Sequence, residues 1–157
     1  MKQQIDSDSL AGIRLLVVDD VWEIREILKL SFERLGGVVE MAAEAEAALA
    51  LASPGRWDVA ILDIDLPGID GMELLGQLRG RMEEPLLPAL FISGHADTAR
   101  HRRVATLGFS LLLPKPFGLD EIAARVKWLH ETRARIGSPQ DWSPHRTRWA
   151  TRHGPLR

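Results

Sequence analysis

Cysteine is absent from the 157 residues, which excludes disulfides, thiolate metal sites and a cysteine nucleophile together. Long apolar runs are absent as well. Nothing approaches the roughly 18–20 apolar residues of a membrane span, and Met1–Gly12 lacks the basic start and apolar stretch of a secretory leader. The chain therefore reads as soluble, cytoplasmic and without a membrane partner. No loop of the GxxxxGK type is present to cradle a nucleotide phosphate. The five histidines, at positions 95, 101, 130, 145 and 153, show no paired ligand spacing such as HxxxH and read as solvated surface residues. There is no internal repeat.

Charge is present in both signs but unevenly placed. Residues 1–131 hold 14 Lys/Arg against 21 Asp/Glu, whereas residues 132–157 hold six Arg against Asp141 alone. The body is acidic and the end of the chain is basic. The length suits one domain.

Five short, mostly continuous apolar runs stand out: "IRLLVV" (13–18), "VVEM" (38–41), "DVAIL" (58–62), "PALFIS" (88–93) and "FSLLL" (109–113). Such runs suit strands covered on both faces. Between them, apolar residues recur at helical spacing: Ile24, Ile27, Leu28 and Leu35, then Ala45, Ala48, Leu49 and Ala52, then Leu74, Leu75, Leu78 and Met82. Leu119, Ile122, Ala123, Val126 and Leu129 form the clearest stripe, and "TARHRRVA" the weakest. Arg100, Arg102 and Arg103 in that segment read as a solvated helix face. Strict alternation of strands and helices predicts an α/β fold, a doubly wound five-stranded parallel sheet of (βα)5, flavodoxin-like form. A leader over 1–11, a domain over 12–135 and a polar, basic tail over 136–157 complete the expected organisation.

In such a sheet, ligands collect at the carboxyl ends of the strands, where strand order reverses. Asp19 and Asp20 end the first run, Asp63 the third and Ser93 the fourth, while Lys115 follows the fifth. Carboxylates held close together need protons or a cation. A hard divalent ion with oxygen ligands fits, and Mg²⁺ leaves places for phosphate oxygens. Lys115 can pair with a phosphoryl oxygen and Ser93 can donate a hydrogen bond to another. Asp70 with Gly71 reads as turn chemistry that caps the third helix.

"LLVVDD", "ILDIDLPGIDG", "FISGHAD" and "LLLPKPF", in that order, give the segment from Ile13 to His130 a family likeness. It resembles the receiver domain of two-component response regulators, the CheY-like family. The resemblance implies that Asp63 accepts a phosphoryl group from a kinase histidine, as a carboxylate nucleophile. It also implies Mg²⁺ bound directly by Asp20 and Asp63, mostly through water by Asp19, and by the backbone carbonyl of Asp65. Ser93 would be the switch hydroxyl, Lys115 the phosphate-pairing lysine, and Lys115–Pro116 a cis bond. One departure is Leu112, where the family usually carries the Tyr or Phe that reports phosphorylation. A second is the acidic side chain of Asp65 beside the metal.

The implied partners are a sensor histidine kinase or histidine phosphotransfer protein, a downstream protein met through the fourth helix, fifth strand and fifth helix, and a second copy of the chain. Nothing after Arg135 leaves room for an effector domain, so a stand-alone receiver is expected. The tail, with Arg146, Arg148 and Arg152 interleaved with Trp142 and Trp149, is expected to modulate the output face electrostatically and not to bind nucleic acid. Two other classes fit parts of the pattern. "DID" after an apolar strand is similar to haloacid dehalogenase-like phosphatases, in which the second aspartate is an acid/base, and a pseudo-receiver would bind partners without phosphorylation.

Overall fold

The structure, a computed structural model, describes residues 9–136. Apart from Ile136, the expected basic tail lies outside the described residues, as does the leader up to residue 8. The five apolar runs form β1 (Arg14–Val18), β2 (Val38–Ala42), β3 (Val59–Asp63), β4 (Ala89–Ser93) and β5 (Ser110–Pro114). The helices between and after them are α1 (Trp22–Arg34), α2 (Ala45–Leu51), α3 (Gly71–Arg81), α4 (Thr98–Ala105) and α5 (Leu119–Arg135). All strands are parallel, in the order β2-β1-β3-β4-β5. This is the doubly wound sheet expected from the alternation.

Period-2 geometry sends alternate strand residues to opposite faces. Leu16, Val18, Ala60, Leu62, Phe91 and Leu112 pack with Ala48, Leu74, Leu78 and Val104 of α2, α3 and α4. Leu15, Val17, Val59, Ile61, Leu90 and Leu113 pack with Leu28 and Phe32 of α1 and with Ile122, Val126 and Leu129 of α5. Right-handed crossovers account for this division. Chain order turns back after β2, so α1 lies on one face and α2 to α4 on the other.

Two expectations need adjustment. Ile27 is 47% exposed although it sits at helical spacing from Ile24. At about 100° per residue it is a full step around from Leu28, and only the Leu28–Phe32 side of α1 reaches the sheet. Leu10, assigned to the leader, is fully buried, and its N–H donates to the Leu35 carbonyl at 2.8 Å. The folded unit thus takes in the residues just before β1.

Arg79, on α3, shows what periodicity leaves unseen. Its half-buried guanidinium donates to the carbonyls of Leu87 (2.8 Å) and Gly108 (2.7 Å) and to that of Leu107. It thereby ties α3 to the segments leading into β4 and β5. Burial pushes its pKa down to about 10, which leaves it charged at neutral pH.

Candidate functional site

Strand register brings the chemistry together. Val18 is paired with Leu62, Asp63 with Ile92 and Ser93 with Pro114. The residues at the carboxyl ends of β1, β3, β4 and β5 therefore share one edge, beside the β1–β3 switch point where crevices form.

Carboxylate oxygens of Asp19, Asp20 and Asp63 lie within 4.8 Å of one another. Asp19 is fully buried and Asp63 is 3% exposed, whereas Asp20 is open to solvent. Each buried carboxylate is fixed on two sides. Asp19 Oδ1 accepts the Val21 N–H at 2.9 Å, and Asp63 Oδ1 accepts the Asp65 N–H at 2.9 Å. Their other oxygens meet Lys115 Nζ at 3.1 and 3.2 Å. The Arg25 guanidinium donates to the Asp19 carbonyl at 2.7 Å, holding the turn after β1.

One ammonium facing two buried carboxylates leaves net negative charge. Burial raises the Asp63 pKa above the ordinary carboxylate range, and the neighbouring Asp19 adds to the rise against the pull of the Asp65 amide and Lys115. Burial works against the Lys115 charge, but the hydrogen bonds and charges of Asp19 and Asp63 outweigh it and raise that pKa. An all-oxygen donor set with surplus negative charge and one solvent-facing member fits a hard divalent cation.

Ser93 is fully buried. Its Oγ donates to Asp65 Oδ2 at 3.2 Å, and accepts from the His95 N–H at 3.0 Å and from Arg100 Nη1 at 2.6 Å. Arg100 also forks onto the Asp65 carboxylate, at 2.7 Å to Oδ1 and 3.0 Å to Oδ2. These bonds and the guanidinium charge hold Asp65 below the usual carboxylate range. Sequence reading assigned Arg100 to a solvated helix face and so missed this contact. Asp97 is the only local signal: it caps α4 through the Arg100 N–H at 2.9 Å and thereby sets the first turn.

Asp70 caps α3, its side chain accepting the Glu73 N–H at 2.9 Å. Gly71 follows with its N–H on the Ile64 carbonyl, and a Cβ there would overlap the Asp63 carbonyl oxygen. Gly71→Ala is therefore expected to push α3 off the end of β3, costing about 2–3 kcal/mol in urea denaturation. A variant as stable as the wild type would contradict this close approach. Lys115–Pro116 is cis, as the resemblance implied, and Leu112 is buried in the apolar cluster under α4.

A family model, the response regulator receiver domain, matches residues 15–127. The chain belongs to that family. Among its relatives, the response regulator MprA of Mycobacterium tuberculosis is 36% identical over 118 residues, which are 75% of this chain and 50% of that protein. MprA of Mycobacterium ulcerans is 35% identical over 118 residues, with the same shares. The chain thus spans about half the length of the curated relatives it matches. Among solved structures, a CheY-like receiver domain protein from Methanospirillum hungatei JF-1 aligns with a TM-score of 0.72 at 26% identity, over 80% of this chain and 98% of that one. A response regulator from Chloroflexus aurantiacus J-10-fl aligns with a TM-score of 0.68 at 32% identity, over 76% and 98%. Among the described residues of this receiver, no helix is long and apolar enough to cross a membrane.

Proposed function

We propose that this receiver, spanning about residues 10–135, accepts a phosphoryl group on Asp63 from a phosphohistidine of a sensor kinase or phosphotransfer protein in the cytoplasm. An Asp63 carboxylate oxygen attacks phosphorus, the P–N bond breaks, and the leaving imidazole keeps its electron pair and takes a proton. The product is an acyl phosphate. The observation that carries this reading is Lys115 Nζ lying between the buried carboxylates of Asp19 and Asp63. A positive charge beside Asp63 supports its role as acceptor, because it would pair with an incoming phosphoryl oxygen.

Asp19, Asp20 and Asp63, with the backbone carbonyl of Asp65, would hold Mg²⁺, which supplies charge neutralisation for the phosphoryl oxygens. Lys115 pairs with one of those oxygens and the Ser93 hydroxyl donates to another. The Asp65 amide on Asp63 Oδ1 orients the nucleophile. Arg100 keeps Asp65 ionised, which opposes the proton-carrying role a phosphatase would require of it. Phosphorylation biases a two-state equilibrium of the surface made by α4, β5 and α5, where a downstream protein or a second copy binds.

Intact mass after incubation with acetyl phosphate and Mg²⁺ tests the reading. One phosphoryl group is expected on the wild type, with none on Asp63→Asn and none in the presence of a chelator. An adduct that survives in Asp63→Asn would assign the acceptor elsewhere.

A further inference from the structure

A serine hydroxyl has one proton to donate and two lone pairs, and in Ser93 all three are engaged. The proton goes to Asp65, and the lone pairs take the His95 N–H and the Arg100 guanidinium. Arg100 closes the arrangement by its fork onto Asp65. The β3–α3 loop, the end of β4 and the first turn of α4 are thus joined at one hydroxyl. Val104 is the one buried residue of α4, so the helix has little apolar anchorage, and the tie through Arg100 helps to position it alongside the Arg103–Asp70 ion pair at 3.6 Å. Leu112, in the apolar cluster that also holds Val104, has neither a ring to swing nor a hydroxyl to bond.

We propose that Arg100 is the positioning residue that couples Ser93 to α4, in place of an aromatic side chain at position 112. The proposal rests on Asp63 being the phosphoryl acceptor. A phosphoryl oxygen on Asp63 competes with Asp65 for the single Ser93 proton. When Ser93 donates to the phosphoryl oxygen, it leaves Asp65 Oδ2 and slips from Arg100, which keeps its fork on Asp65 alone. The first turn of α4 loses its link to β4 and shifts. No covalent bond changes in this step; the Ser93–Asp65 hydrogen bond is exchanged for one to the phosphoryl oxygen, and the Arg100–Ser93 bond is released.

The test is amide hydrogen exchange of residues 98–105 with and without Mg²⁺ and beryllofluoride, a phosphoryl mimic, alongside intact mass with acetyl phosphate. In the wild type, exchange in α4 is expected to change by about 5-fold or more, the lower range of allosteric couplings. Arg100→Gln should still gain the phosphoryl group, yet show the same α4 exchange with and without the mimic. Arg100→Lys should restore basal α4 protection but not the response, because an ammonium cannot fork onto Asp65 while holding Ser93. The Asp65–Arg100 pair is partly exposed, so a purely structural role would alter stability by less than about 1 kcal/mol and leave the response intact. Should Arg100→Gln not fold, Asp65→Asn, which weakens the same knot, is expected to reduce the response.

A full response in Arg100→Gln or in Asp65→Asn overturns the coupling while leaving the phosphorylation reading in place. A wild type that neither gains mass nor responds overturns that reading, and the coupling falls with it.

Discussion

Lys115→Met is expected to slow phosphoryl uptake from acetyl phosphate by about 100-fold, the loss seen when one preorganised charge-stabilising donor is removed. It is also expected to destabilise the metal-free protein at neutral pH. Lys115 Nζ is the cation between Asp19 Oδ2 and Asp63 Oδ2, and both carboxylates are buried. Removing one member of a buried ion pair costs about 3–5 kcal/mol. The Lys115 side chain is 21% exposed, so solvent screens part of the interaction and about 2–3 kcal/mol is expected. That corresponds to a fall in Tm of about 10 °C.

The pH dependence has a definite sign. In the folded wild type the Asp63 pKa already lies above the ordinary range, because of burial and then the charge of Asp19. Without Lys115 it rises further. Between the unfolded and folded pKa values the native state then binds more protons than the unfolded chain, so stability falls as pH rises through that window. The deficit of Lys115→Met against wild type, measured by urea denaturation in the presence of a chelator, should be small near pH 4 and full at pH 7. Added Mg²⁺ should recover part of the neutral-pH loss, because a bound cation favours the folded state by mass action. A deficit independent of pH would mean that the lysine acts through packing of its stem.

Arg79→Met is expected to be the other large effect, and to act far from the phosphoryl chemistry. The guanidinium serves carbonyls of three residues, Leu87, Leu107 and Gly108. Hydrogen bonds to charged donors are worth about 1.5–3 kcal/mol each. Gly108 keeps the Ser110 hydroxyl as a donor, at 2.9 Å, and the methionine stem retains most of the apolar contact. A loss of about 2–4 kcal/mol follows. Arg79→Lys should recover less than half, since one ammonium cannot serve carbonyls from two segments with the reach of a planar fork. Both variants, once folded, should take up phosphoryl at the wild-type rate, because Arg79 contacts the amino-end segments before β4 and β5. A denaturation midpoint unchanged in Arg79→Met would show that water replaces the guanidinium at no cost.

The two variants separate what the chain carries in its order of residues from what it acquires on folding. The five strands were legible because each is a short, mostly apolar run; four are largely buried, whereas the edge strand β2 leaves Val38 in solvent. Alternation with helical stripes then left few topologies, and parallel strands place all their carboxyl ends on one edge. That is why Asp19, Asp20, Asp63, Ser93 and Lys115, far apart in the chain, can be grouped from the order of residues alone. Each lies at or just beyond the end of an apolar run, so its position along the strand is nearly determined by pattern alone.

The contacts of Arg79 and Arg100 were not legible in this way. A long side chain on a helix reaches several ångströms in a direction set by helix rotation and loop path, and neither has a sequence period. "TARHRRVA" offers three arginines of equal appearance, and only the placement of α4 over the end of β4 selects Arg100 for Ser93 and Asp65. Ile27 errs the other way, since its spacing marks a stripe but the angle at which α1 meets the sheet leaves it in solvent. By itself the sequence determined the sheet, its order of elements and the acidic edge, because apolar periodicity and strand ends are local properties. Tertiary structure alone decided that Arg100 joins that edge and which hydroxyl is held by which helix, because those pairings depend on directions in space that no local pattern encodes.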